Sequence, residues 1–318
     1  MPDTSFTLNF PVFRESLQLD SCSLLSFIRL RFIRTEIAEL VEWIATGRVR
    51  VDQALSHAEQ QLIAGQTVQV TMPDHREDPV DTRWQLVWQN EEIMAVYKPP
   101  LLPVSRTTRN LYDTLIQLVR RQTPHYDAHL LHRLDTETDG LILIAKDKAA
   151  DLKWKKQLAT LIERKVYQAW VYGVPDWHQQ TVERELSERE GSAIRSQMYV
   201  VDPAQPELYK KPKLSKTAFR LLRSEGDCSL IECELFTGRK HQIRCQLAHL
   251  GHPVVGDKIY AHQGRFYLKR LEAGLSEEDF QCLGGYHHRL SAVRLVLCLE
   301  SEARVSIELP EAPAQSFT

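Results

Sequence analysis

His129-Leu130-Leu131-His132-Arg133-Leu134-Asp135-Thr136-Glu137-Thr138-Asp139-Gly140 runs directly into Leu141-Ile142-Leu143-Ile144-Ala145 and Lys146. The apolar run is short and bounded by Gly140 and Lys146, which predicts a strand buried on both faces. Asp135 lies just before the turn that feeds this strand, so its carboxylate would be held rigidly and partly desolvated. Arg133 stands two positions earlier, and in an extended segment both side chains point to one side. The plain reading is a structural Arg–Asp ion pair at a turn. The functional reading is a carboxylate kept charged for chemistry.

A second dense segment lies downstream. It reads Phe236-Thr237-Gly238-Arg239-Lys240-His241-Gln242-Ile243-Arg244, then Cys245-Gln246-Leu247-Ala248-His249-Leu250-Gly251-His252-Pro253, and closes at Gly256-Asp257. Gly238 reads as a turn into a helix beginning near Lys240. Ile243, Leu247 and Leu250 follow at the spacing of a core-facing stripe. Arg239, Lys240 and Arg244 crowd positive charge at the start of that helix, where the dipole disfavours it. An anionic partner would resolve the conflict. Otherwise the segment is a solvated basic helix start.

The chain has 318 residues, enough for two or more domains with a large core. Its hydrophobic share of 43% and charged share of 26% are those of a soluble globular protein. No apolar run approaches a membrane span, and the start at Met1-Pro2-Asp3 carries no secretory pattern. Cys22, Cys228, Cys233, Cys245, Cys282 and Cys298 are scattered without a Cys-x-x-Cys pair. That argues against a structural zinc or a disulfide framework and fits a reducing, cytoplasmic setting. A net charge of −2 tells against nonspecific coating of nucleic acid, although distribution matters more than the sum. Lys210, Lys211, Lys213, Lys216, Arg220 and Arg223 form a basic run that reads as either a solvated edge or a strip for phosphates. Glu272, Glu277, Glu278 and Asp279 are its acidic counterweight.

The pattern divides into a small unit over 20–72, a polar, proline-punctuated linker over 73–83, and a larger domain over 84–310 with a fraying tail. In the small unit, residues 24–30 and 37–44 predict two helices, the second closed by Gly47. Val49-Arg50-Val51 and Thr67-Val68-Gln69-Val70 predict strands. In the larger domain, strands are predicted at 93–97, 140–146, 166–174, 216–223, 228–236, 288–297 and 304–309. Helices are predicted at 112–121 and 148–161. The sum is an α+β fold, a mixed and mainly antiparallel sheet with flanking helices.

Three motifs carry a resemblance. Residues 132–146 resemble the His-Arg-Leu-Asp-x-x-Thr-Ser-Gly-Leu-Leu-Leu-Leu-Ala-Lys motif of the RluA-type pseudouridine synthases. Lys165, Tyr167, Ala169, Val171 and Gly173 match that family's Lys-x-Tyr-x-Ala-x-Val-x-Gly, and residues 237–244 with 251–257 match its Thr-Gly-Arg-x-His-Gln-Ile-Arg and Gly-His-Pro-x-x-Gly-Asp. Asp139 stands where the family has serine, Lys240 where threonine is common, and Ile259-Tyr260-Ala261 where Leu-Tyr-Gly is usual. Asp139 is expected to face solvent at the turn; facing the site, it would raise the pKa of Asp135.

The resemblance implies the pseudouridine synthase fold and a set of roles. Asp135 would be the catalytic aspartate, Tyr167 would pack against the uracil, and Arg244 would pair with Asp135 and keep it ionised. Arg133 would fill the gap left by the flipped nucleotide or contact phosphate. Arg239, Lys240, His241 and Lys165 would contact RNA, and His132 and Gln242 would orient neighbours. The reaction moves the ribose bond from uracil nitrogen 1 to carbon 5, so no cofactor or metal is expected. The base must be flipped out of the stack to be reached. Whether the aspartate attacks the sugar or the base, or removes the 2′ proton, stays open.

The small unit resembles the S-four-like RNA-binding module, with Asp52-Gln53 in place of Asn-Gly and Gly65-Gln66-Thr67-Val68 in place of Gly-Asp-x-Val. Arg29, Arg31, Arg34, Arg48 and Arg50 support RNA binding there; the plain alternative is a helical cap. The expected partner is ribosomal or transfer RNA, with a monomeric enzyme. Two other readings compete: a noncatalytic RNA-binding protein that keeps the fold, and a hydrolase pairing Asp135 with Glu137 or Asp139.

Overall fold

The computed structural model describes residues 6–17, 22–73, 75–299 and 304–309. In chain order the first unit contains β1 (Phe6–Pro11), β2 (Cys22–Ser23), α1 (Leu24–Arg29), α2 (Ile37–Ala45), β3 (Val49–Val51), β4 (Ala54–Leu55), β5 (Gln61–Leu62) and β6 (Thr67–Met72). There follow β7 (Gln85–Gln89), β8 (Ile93–Lys98), α3 (Leu115–Gln122), β9 (His129–Leu130), β10 (Asp139–Ala145), α4 (Lys148–Lys156), α5 (Leu158–Leu161) and β11 (Ile162–Tyr172). Next come β12 (Gln179–Ser187), β13 (Tyr199–Val200), β14 (Lys213–Glu225), β15 (Cys228–Leu235) and α6 (Gln242–His249). The described chain ends with α7 (Arg265–Glu272), α8 (Glu277–Leu283), β16 (Leu290–Cys298) and β17 (Arg304–Glu308).

Leu141 to Ala145 are all 0% exposed, as the run predicts. Alternation sends Ile142 and Ile144 to one face of the sheet, where they join a cluster with Leu115, Val119, Tyr167, Ile243 and Leu247. Leu141, Leu143 and Ala145 go to the other face, onto Ala150, Trp154 and Leu161 of α4 and α5. The sheet order is β13-β12-β14-β15-β11-β16-β10-β8-β7, with β9 on β10 and β17 on β16. Among the described residues every pairing is antiparallel except β10 with β16, which meet in parallel only at Asp139 and Gly140. Gly140 has φ +111°, and a Cβ there would collide with the Ala292 backbone. This close approach is why the turn after Asp135 ends in glycine.

Several expectations shift. β1 lies before the boundary read at residue 20, yet it pairs along its length with β6 and completes the small sheet β1-β6-β3-β4. The polar strand β12 and the edge strand β7 carry too little apolar alternation to be read from sequence. The helix expected from 112 begins at Leu115, because Thr114 is extended, with φ −129° and ψ 152°, and residues 111–113 wrap around Glu77. Its carboxylate accepts from the N–H groups of Leu111, Tyr112 and Asp113 at 2.9, 2.7 and 2.6 Å. The linker is therefore anchored at Glu77, whose side chain is 2% exposed. The helix expected over 148–161 breaks at Gln157, where φ −111° and ψ 16° leave the helical region. The tail beyond 310 and residues 20–21 lie outside the described residues.

Candidate active site

Asp135 sits in the β9–β10 connection, where Thr138 N–H donates to Asp135 O and closes a turn. Its side chain is 30% exposed and opens onto a cleft of about 1380 Å³. Arg133, Lys165, Tyr167, Arg239, Lys240, His241 and Arg244 all line the same cleft, so residues from three separated motifs meet here.

Arg244, in the first turn of α6, donates from Nη1 to Asp135 Oδ2 at 2.7 Å. Its Nε and Nη2 grip Asp257 Oδ2 and Oδ1 at 2.6 and 2.9 Å. The charge conflict at the helix start is thus met by the protein's own carboxylates. Asp257 is 0% exposed and also accepts from the backbone N–H of Ile259 and Tyr260. Burial works against charge on both acids, but Arg244 outweighs it and holds both carboxyls below their usual range. The plain Arg133–Asp135 pair is not formed. Arg133 is exposed and, among the described residues, its side chain has no hydrogen-bond or ion-pair partner.

Tyr167 comes from β11, at the bulge where pairing to β16 shifts register, and is 7% exposed. Burial pushes its phenol up, so the ring stays neutral. Lys165 is half-buried, and desolvation lowers its amine. His132 Nε2 accepts from Leu143 N–H at 3.1 Å, and Gln242 bonds Thr237, Arg239 and Thr217, so both orient neighbours. Arg239 donates Nε to Leu214 O, while Lys240 approaches Glu188 at 3.3 Å on the surface.

Two readings are corrected. Asp139 does not face solvent. It is half-buried at the head of β10, in register with Ser291, whose hydroxyl donates to it, and Tyr97 Oη approaches at 3.4 Å. The basic run is neutralised over its second half: Lys216, Arg220 and Arg223 pair with Glu183, Glu232 and Glu225, while Lys210, Lys211 and Lys213 are exposed.

Sequence reasoning passed over the supports of the turn that carries Asp135. Lys98, 0% exposed, donates to Pro99 O, Leu102 O and Thr136 O, and burial lowers its pKa to about 7. Lys258 clamps both Glu137 oxygens at 3.0 Å. His288 Nε2 meets Thr138 Oγ1 at 2.7 Å, and burial lowers its pKa to about 4. With Glu137, Asp139 and Asp257 all engaged, no second free carboxylate among the described residues stands beside Asp135, as a hydrolase pair would need. Among the described residues, no group of three His, Cys, Asp or Glu side chains is placed to hold a metal ion. Nor is any described helix long and apolar enough to cross a membrane.

Comparison with known proteins gives a consistent answer. A family model described as RNA pseudouridylate synthase matches residues 92–249. A dual-specificity RNA pseudouridine synthase RluA of Vibrio parahaemolyticus is 32% identical over 64% of this chain and 79% of that protein. The chain belongs to the RNA pseudouridine synthase family. This RNA pseudouridine synthase is an isomerase acting on uridine in RNA. It is also similar to the ribosomal large subunit pseudouridine synthase D of Xylella fastidiosa, 29% identical over 70% of this chain and 66% of that one. The solved structure of human RNA Pseudouridylate Synthase Domain Containing 1 shares the fold, with a TM-score of 0.57 at 23% identity, covering 74% of this chain and 86% of that one.

Proposed function

We propose that this pseudouridine synthase uses Asp135 as its catalytic group on a uridine of structured RNA, with ribosomal RNA as the substrate class and transfer RNA as the second. The carrying observation is the Asp135 carboxylate, open to the cleft and tied to Arg244 at 2.7 Å beside the buried Tyr167. Arg244 keeps the carboxylate ionised. Tyr167 offers the detached uracil a surface to turn against, and the walls limit water while the base is free. Arg133, Lys165, Arg239, Lys240 and His241 line the approach for RNA. The ribosomal class rests on relatives whose names specify the large ribosomal subunit, and on the small N-terminal unit, which we read as an RNA-binding module. The enzyme is read as a monomer, and its six free cysteines suit a cytoplasmic setting.

The test maps pseudouridine by chemical labelling and sequencing in total RNA from cells lacking the gene. Rescue uses either the wild type or Asp135→Asn. The expected result is loss of one or a few sites, restored by wild type alone. Full restoration by Asp135→Asn overturns the assignment of Asp135. Loss confined to transfer RNA overturns the ribosomal class.

A further inference from the structure

The hydrogen bonds around His241 favour one ring nitrogen as the carrier of its proton. The backbone N–H of Met198 donates to Tyr260 Oη at 2.9 Å, and Tyr260 Oη lies 3.1 Å from His241 Nδ1. A phenol has one hydrogen. With its oxygen already accepting from Met198, every group is satisfied when Tyr260 donates to Nδ1. The ring proton then sits on Nε2. Burial, reinforced by the neighbouring Arg244 charge, lowers the His241 pKa to about 4, so the ring is neutral in the working range. His241 also occupies the N-cap of α6 with φ 54°, a backbone position that fixes where its ring points.

Nε2 faces Asp135 Oδ2 at 3.9 Å. That is too long for a direct hydrogen bond, and both residues line the cleft. A fixed N–H donor and an ionised acceptor at this separation suit a group that accepts and donates through a single oxygen. A hydroxyl does so. A carbonyl or phosphate oxygen has no hydrogen for Asp135, and the uracil N–H has no lone pair for His241. Within an RNA chain the 3′ and 5′ oxygens are esterified, so a uridine offers one free hydroxyl, the 2′-OH. We propose that His241 Nε2 and Asp135 Oδ2 clasp the 2′-hydroxyl of the flipped uridine, making His241 the residue by which this site tells RNA from DNA. The proposal rests on Asp135 being the catalytic carboxylate.

The test compares binding of a synthetic stem-loop carrying the mapped target as uridine or as 2′-deoxyuridine. It uses wild type, His241→Asn and Tyr260→Phe. Asparagine tolerates the left-handed backbone but is too short to reach the hydroxyl. For wild type, the deoxy substitution should weaken binding about tenfold. In His241→Asn the penalty should fall to less than about twofold, since the partner is already gone. Tyr260→Phe frees the ring proton to move to Nδ1 and should give an intermediate penalty. Equal penalties in wild type and His241→Asn, or no penalty in wild type, overturn the proposal. If His241→Asn does not fold, an undiminished penalty in Tyr260→Phe overturns it instead. Conversion of the uridine stem-loop by wild type and by Asp135→Asn is measured alongside. If Asp135→Asn converts it as wild type does, the role of Asp135 fails; if only wild type converts it and the penalties are equal, only the role of His241 fails.

Discussion

Arg244 is divided between two acids with unequal duties. Asp257 takes two of its donors in a site closed to solvent, and Asp135 takes the third at the cleft. A guanidinium suits this because its donors lie in a fixed fork, which a lysine lacks. Asp257 is thus a positioning residue, acting on Asp135 through the arginine. Asp257→Asn leaves a buried cation half-compensated and should cost about 3–5 kcal/mol at pH 7, read by urea denaturation. Both carboxyls are held below their ordinary values, so the folded state binds fewer protons than the unfolded chain. Their contribution is complete above the unfolded pKa of about 3.9 and fades as pH falls through the lower folded value. The gap between wild type and Asp257→Asn should therefore narrow at pH 3. A gap that widens there means that Asp257 is not held ionised by Arg244.

At the scale of elements, each of the four residues after Asp135 is tied to a different part of the fold. Thr136 O is held by Lys98 at the end of β8, Glu137 by Lys258 beyond α6, Thr138 by His288, and Asp139 by Ser291 of β16. A turn fixed at four successive residues holds Asp135 in place before substrate arrives, which favours rate over ground-state binding. Thr138→Val keeps the shape and removes one tie. It should cost about 1–2 kcal/mol of stability and lower kcat several-fold with little change in KM. A change confined to KM would show that the turn serves binding instead. The same turn explains what could be read from the sequence. Leu141 to Ala145, Asp135 and Arg244 sit in dense local motifs whose chemistry is visible residue by residue. Lys98, Lys258 and His288 look like ordinary polar residues in the chain. Their purpose exists only once strands distant in sequence lie side by side. β12 escaped for another reason: it buries only Val182, Leu186 and Ser187, and the exposed residues between them, with Glu183 paired to Lys216, break the alternation.

At the scale of the whole molecule, a net charge of −2 must still allow polyanion binding. The fold achieves this by where it neutralises cations. On β14, Lys216, Arg220 and Arg223 are spent on glutamates of the same sheet. Around the cleft, Arg106, Arg133 and Lys156 are exposed and, among the described residues, have no ion-pair partner. RNA that seats there must displace counterions from its own phosphates, so affinity falls with salt in proportion to the contacts made. Arg106→Ala and Lys156→Ala should each reduce the slope of log affinity against log salt by about 0.7, the value for a single-strand contact. Arg220→Ala and Arg223→Ala should leave the slope unchanged, although the sequence run containing them is the more basic. The measurement is fluorescence anisotropy of a labelled target RNA across a salt series. If the β14 variants alter the slope and the cleft variants do not, RNA crosses the sheet face and the cleft takes only the flipped nucleotide.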